Sequence, residues 1–527
     1  MAVSLWETRR VREDEQPAAV RRPTPASNHP EPAFANLAEL VSTQASLRPG
    51  AVALVRPGQD RRSVTWGELE AAVTEIASGL ASYGLVAGHR VALCAPNSIE
   101  FVVAYLAALR AGFVCVPVNP ECTESELRTV LTDSGARLVL RAHAPEVAGF
   151  KTLPLSPEGL HALAARASGA VGSPADAEAL AVLLYTAGTS GEPKAAMLSH
   201  RSLLSHLEHF HAYGLITEET VVLALLPLFH VFGLNAVLGA CLRAGATCVV
   251  PDGAQDPVQT VQDEGVTNLP VAPSVLYRML QHEDLGTALA GVTTVVSGAA
   301  PMPASLASTF TERTGLRVEQ GYGLTEAAPG VSVTFGSTVT GPGHVGRPLP
   351  GVEVRIGDGR DSSEPAEIWV RGGNLFSGYW PDGHDGPDPD GWFATGDIGY
   401  LADGELFLVD RARELILVNG FNVYPAEVES VIRELPGVEE VAVIGQPDER
   451  TGEQVVAFVV GAIVSEDEVT EHCATRLARF KRPTEVRLLT ALPRGATGKV
   501  KKGVLRQLSA ASAADRSTSA RGRREGP

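Results

Sequence analysis

Between residues 183 and 200 the chain reads LLYTAGTSGEPKAAMLSH, and here its residue types first suggest chemistry. An apolar run enters Thr186, Gly188, Thr189, Ser190 and Gly191, followed by Pro193 and Lys194. Small residues let a backbone curl closely around an anion. Hydroxyls and exposed N–H groups then donate to phosphate oxygens, and Lys194 adds a positive charge. The GxxxxGK[ST] spacing of a P-loop is absent. By composition alone the segment also reads as a Gly/Ser/Thr surface loop.

Other combinations carry less. GPGHVG (341–346) fits GxGxxG, but Pro342 and the following RPLPG forbid the helix that a dinucleotide site needs. HLEHFH (206–211) offers three histidines in a spacing that is not a zinc pattern, and it reads as a helix surface. Cys94, Cys115, Cys122, Cys241, Cys248 and Cys473 form no CxxC pair and lack the His and Asp arrangement of a thiol nucleophile. Most lie beside Val, Ala or Leu, the setting of buried free thiols, which points to a reducing cytoplasm.

A phosphate loop needs a scaffold, and 527 residues are enough for two or three domains. The 44% apolar and 20% charged content is that of a soluble globular chain. A net charge of −17 argues against a nucleic-acid partner, while leaving room for ATP in a small local site. The N-terminus shows no continuous apolar run, so it does not read as a secretory signal. Residues 221–250 are apolar, but Pro227, His230, Gly233, Asn235 and Arg243 divide them into strand, loop, helix and strand rather than a membrane span.

Residues 1–33 read as a disordered arm. From there strand and helix patterns alternate: a helix at 36–47, a strand at 51–55, and a helix from the capping pair Thr65 and Glu68 to about Tyr83. RVALCAP, FVCVPV and ARLVLRA read as strands, and Thr123 with Glu126 repeats the capping signature. Apolar strands alternating with helices predict an α/β fold of mostly parallel sheets flanked by helices. Residues 330–408 turn to short strands rich in Gly and Pro, a small barrel-like subdomain. The predicted division is a large N-terminal domain (34–409), a small α+β C-terminal domain (410–510) with helices at 425–434 and 466–479, and a disordered tail (511–527).

YTAGTSGEPKAAMLSH resembles the YTSGTTGxPKG signature of the adenylate-forming superfamily, with Ala187 in place of Ser and Ala195 in place of Gly. LPLFHVFGLN (226–235), VVSGAAPMP (295–303), QGYGLTEAAP (320–329), GWFATGDIGYL (391–401), DRARELILVNGFNVYPAEVE (410–429) and LPRGATGKVKKGVLR (492–506) follow in that family's order. The resemblance runs from about residue 35 to 506 and implies roles for particular residues. His230, Val231 and Phe232 would border the acyl pocket. Gly298 and Ala299 after Ser297, with Gln320, Gly321, Tyr322 and Gly323, would hold the adenine. Thr325 would contact the α-phosphate, and Glu326 with Thr189 would hold Mg²⁺. Asp397 would accept the ribose hydroxyls, and Arg411 would add a ribose or phosphate contact. Asp410 would be the hinge, Lys499 the mobile catalytic lysine, and Gly420 part of a pantetheine tunnel.

The implied reaction is activation of a carboxylic acid by ATP as its acyl-AMP, then transfer to the thiol of CoA. Between the steps the C-terminal domain would rotate. ILVNGFNVYPAEV is similar to the text of fatty-acyl-CoA synthetases, which favours a medium- or long-chain acid; an aryl acid, or a carrier-protein phosphopantetheine as acceptor, are the alternatives. Residues 377–393, SGYWPDGHDGPDPDGWF, read as a shortened surface loop.

Overall fold

The computed structural model describes residues 34–509 except 143–145, 170, 187–193, 254, 301, 360–361, 412–413, 415, 419–420, 449–450, 478 and 495–499. Gly188, Thr189, Ser190, Gly191, Gly420 and Lys499, with the predicted arm and tail, lie outside the described residues, as do the side chains of Asp410 and Arg411.

Apolar strands alternating with helices give parallel sheets. One has six strands, in the order Thr152–Pro154, Leu138–Arg141, Arg90–Cys94, Val114–Val118, Leu180–Thr186, Lys194–Ser199. Its pairs are parallel except the last, where Thr186 lies opposite Lys194. A thirteen-stranded sheet contains a parallel run: Val318–Gly323, Thr294–Ser297, Asn268–Val271, Val221–Leu223, Thr247–Val249 and Val52–Arg56. The Gly/Pro-rich region continues this sheet with antiparallel strands, entering through Gly330–Val333, which pairs with Val318–Gly323.

The predicted caps form. Thr65 with Glu68 and Thr123 with Glu126 are reciprocal boxes opening Trp66–Ala81 and Glu124–Ser134. A third box, Ser465 with Glu468, opens Glu466–Arg476. Such caps each contribute about 1 kcal/mol. Ile99–Arg110 is buried along its whole length. Arg110 is tolerated there because Glu70 takes its guanidinium at 2.7 and 2.8 Å, and Ser42 Oγ and the Ala38 carbonyl accept at 2.9 and 3.0 Å.

Residues 221–250 divide as predicted: strand Val221–Leu223, helical Phe232–Gly239 and Ala240–Ala244, strand Thr247–Val249. Among the described residues no helix is long and apolar enough to cross a membrane. All six cysteines are free thiols and five are buried. Beyond Arg411 a smaller sheet, centred on Glu440–Asp448 and Gly452–Val460, packs with Pro425–Arg433 and Glu466–Arg476 around its own apolar core.

Candidate active site

Parallel strands leave their C-terminal ends open, and loops there line a cavity of about 1950 Å³. That is about twice the upper end of the usual single-ligand range of ~300–1,000 Å³, so more than one reactant fits. Thr186 and Lys194 reach it from the six-stranded sheet. Gly298, Ala299, Gly321, Tyr322, Gly323, Thr325 and Glu326 reach it from the parallel run, and Asp397 from an antiparallel strand.

On one side the wall is polar. Lys194 Nζ lies 2.8 Å from Asp385 Oδ2 and 5.0 Å from the centre of the Tyr379 ring. The Tyr379 hydroxyl donates to Glu326 Oε1 at 2.6 Å. Tyr379 therefore connects the lysine of one sheet to the carboxylate of the other. Across the cavity wall the Tyr322 hydroxyl donates to Asp397 Oδ2 at 2.7 Å, fixing a buried carboxylate. Asp397 lies opposite Arg411 in the ladder between Phe393–Ala402 and Glu405–Arg411.

Close approach shapes the wall after Thr294–Ser297. A Cβ on Gly298 would stand 2.7 Å from the Phe232 ring, so glycine is required there for backbone and ring to meet. Ala299 has φ +68°, a left-handed conformation that non-glycine residues seldom hold outside constrained sites. Ser297 and Gln320 are paired in neighbouring strands but are not part of the lining. Gln320 N–H donates to Thr334 Oγ1 at 2.8 Å, and the Ser297 hydroxyl is buried without a hydrogen-bond partner among the described residues.

The rest of the wall is mostly apolar. His230, Val231 and Phe232 line it, and Phe232–Gly239 is wound as a π-helix, a form that recurs at functional sites. Asn235 secures that turn by donating to the carbonyls of Leu203 and Ala328, at 3.1 and 2.7 Å. Beyond the last strand of the C-terminal sheet, Arg494 and Lys501, flanking the segment that carries Lys499, also line the cavity.

Two features depart from the sequence reading. Residues 377–393 are more than a surface loop. The strand Lys194–Ser199 is an edge with free backbone groups, and the segment takes them: Ser377 N–H to the Met197 carbonyl at 2.9 Å, Met197 N–H to Gly378 at 3.1 Å, and Trp380 N–H to Ala195 at 2.9 Å. The Trp380 indole N–H donates to the Asp133 carbonyl at 3.0 Å, and the Arg90 guanidinium lies 5.2 Å over its ring. Tyr379 and Asp385 are thus site residues that the sequence reading missed. The second departure is His206. HLEHFH does not lie wholly on a helix surface, because His206 is buried with 2% exposure and its ring is part of the cavity wall. Burial lowers its pKa to about 3, so the ring is neutral.

Residues 41–380 match the AMP-binding enzyme family, and residues 427–499 match the AMP-binding enzyme C-terminal domain. The long-chain-fatty-acid–CoA ligase FadD13 of Mycobacterium tuberculosis is 34% identical over 496 residues, covering 90% of this chain and 98% of its own length. Feruloyl-CoA synthase of an Amycolatopsis species is 35% identical over 483 residues, covering 88% and 97%. The crystal structure of ATP-bound MatB from Rhodopseudomonas palustris has a TM-score of 0.83 at 32% identity, covering 90% of this chain and 99% of that one. Fold, site and sequence agree: the chain belongs to the AMP-binding enzyme family, within the adenylate-forming superfamily, and is an acid–thiol ligase that uses ATP and CoA.

Proposed function

We propose that this ligase activates a medium- or long-chain fatty acid and delivers it to CoA, releasing AMP and pyrophosphate. The observation that carries the choice of acid is the wall formed by Phe210, Ile216, Val222, Phe232, Ala236 and Leu349, apolar side chains that suit an alkyl chain. Among the relatives one is named for long-chain fatty acids and another for a feruloyl product, so family membership by itself leaves the acid open.

In the proposed reaction the acid's carboxylate attacks the α-phosphorus of ATP in line and pyrophosphate leaves. Charge grows on the non-bridging and leaving oxygens, where Thr325 and Lys499 stabilise it. Lys194 gives up Asp385 for a phosphate. An exposed ion pair contributes only about 0–1 kcal/mol, so the exchange is easy. Asp397, oriented by the Tyr322 hydroxyl, accepts the ribose hydroxyls, with Arg411 beside it. The segment holding Gly188, Thr189, Ser190 and Gly191 cradles the phosphates.

Among the described residues no cluster of three or more His, Cys, Asp or Glu could hold a metal by itself. Glu326 offers a single carboxylate at the cavity, and that suits Mg²⁺, which binds through one or two carboxylates together with substrate phosphates. Glu326 with Thr189 would hold Mg²⁺, which when bound supplies positive charge to the phosphates.

For the second step the unit from 410 to 510 turns about Asp410 relative to residues 34–409. Lys499 is withdrawn, and Gly420 leaves the pantetheine path open. The five buried free thiols support a reducing, cytoplasmic setting.

The test is pyrophosphate release across a series from hexanoate to palmitate, with and without CoA, alongside ferulate. Acid-dependent release and acyl-CoA formation with the alkyl acids are expected. Release with ferulate alone would replace the fatty acid by an aryl one. Adenylation without any acyl-CoA would point to a carrier-protein acceptor.

A further inference from the structure

One face of the parallel run turns towards the cavity, and at its deep end stands a polar side chain. Paired residues of a ladder share a face, and side chains alternate along a strand. Pro270 pairs with Val296 and Asn268 with Val222, and all four line the cavity. Leu269 and Val271, the residues between and after them, pack into the core on the other face. The Asn268 side chain therefore stands on the cavity face, at the start of Asn268–Val271. Its other ladder partner is Thr294, four residues before Gly298. At ~3.3 Å per residue Asn268 lies about 13 Å deeper than the point where Gly298 meets the Phe232 ring.

Asn268 is 3% exposed. Its side-chain amide has no hydrogen-bond partner among the described residues, yet neither amide atom is sealed off as Ser297 Oγ and Asn235 Oδ1 are. Both atoms thus open on the cavity. An amide offers a donor and an acceptor whichever way it is turned, and it carries no charge. A methyl end reaching that depth would strip the amide of water and leave it unpaired. A hydroxyl, donor and acceptor in one atom, would replace the water on both sides. A second carboxylate would instead bring a buried charge that an amide does not neutralise.

We propose that the acid is a fatty acid bearing a hydroxyl at its far end, and that Asn268 is the specificity-determining residue that receives it. This rests on the fatty-acid reading above and adds an end group to it. A site that hydrogen-bonds a substrate hydroxyl discriminates against the analogue lacking it, because the protein group is then left unpaired.

The experiment measures pyrophosphate release with plain acids from hexanoate to palmitate and with the ω-hydroxy acid of each length. The readout is the ratio of kcat/KM for the ω-hydroxy acid to that for its plain counterpart, which the amount of folded protein does not affect. In the wild type the ratio should peak at one chain length, or two adjacent ones, at about tenfold or more. Asn268→Leu, similar in size and apolar, should bring the peak to one or below. Asn268→Ser keeps a donor and an acceptor on a shorter side chain and should move a smaller peak to a longer acid. A ratio near one at every length in the wild type overturns the proposal, as does a peak unchanged in Asn268→Leu or in Asn268→Ser. If no alkyl acid of either kind is turned over while ferulate is, the fatty-acid reading itself fails and the inference falls with it.

Discussion

Around Lys194 the cavity wall is charged and open to solvent: the lysine side chain is 37% exposed and its partner Asp385 63%. Around His206 it is neutral and closed, with the ring 2% exposed and its proton fixed by one backbone bond. The contrast separates two kinds of recognition. An exposed ion pair exchanges one anion for another at little cost, which suits a phosphate that must arrive and leave. A buried neutral ring set among Phe210, Ile216 and Leu349 offers a phosphate nothing, and that side of the wall suits an apolar group. Charge on one side thus suits the phosphates, and closed apolar shape on the other suits an apolar part of the acid.

The sharpest way to break the comparison is Lys499→Ala. If Lys499 belongs to the phosphate side, acid-dependent pyrophosphate release should fall by ~10²–10³-fold. Conversion of supplied acyl-AMP and CoA to acyl-CoA should persist. Equal loss in both half-reactions would remove Lys499 from that side. Next, Glu326→Gln should cost roughly 100-fold in pyrophosphate release and move its Mg²⁺ dependence to higher concentration, the hydrogen bond from Tyr379 being retained in form. An unaltered Mg²⁺ titration would leave Glu326 as merely the anchor of Tyr379.

The closed side is tested by acid. Burial lowers His200 from the ordinary 6.5 to about 4 and His206 to about 3, so both are neutral in the fold. Below pH 6.5 the unfolded chain binds protons that the folded chain refuses. Stability is therefore whole above about pH 6.5 and declines as the pH falls towards 4, by at most about 1.4 kcal/mol per pH unit for each histidine. Urea unfolding at pH 7 and pH 5 measures the decline, and His206→Asn should lessen it by one histidine's share. The smallest effect is expected from Asp385→Ala. It frees Lys194, and KM for ATP should drop by about 2- to 5-fold, in keeping with an exposed pair. A rise in KM would mean that Asp385 positions the lysine rather than competing for it.

Much of the polar side was legible in the sequence. Thr186 and Lys194 were read from their residue types, and Thr325, Glu326 and Asp397 from motifs that resemble the adenylate-forming superfamily; the cavity gathers all five. Tyr379 and Asp385 were not legible. Their stretch has neither helical nor strand period, and Asp385 meets a lysine 191 residues earlier through an edge pairing that only the folded sheet creates. His206 carried a signal that could have been read: with Leu203 three residues before and Phe210 four after, it falls on an apolar helix face. The individual strands and caps followed from local pattern, as at Thr65 and Thr123. The order of strands within each sheet did not, because it is settled by packing between elements remote in the chain.

The strap formed by residues 377–393 also has an optical consequence. Trp380 follows Tyr379 directly, with its indole pinned to the Asp133 carbonyl and a guanidinium held above the ring. When a phosphate draws Lys194 from Asp385, a charge changes within the strap that carries this indole. Trp369 and Trp392 line the cavity itself, so a change in indole emission on adding ATP, compared with Trp380→Phe, would separate the strap's response from theirs without attaching any dye.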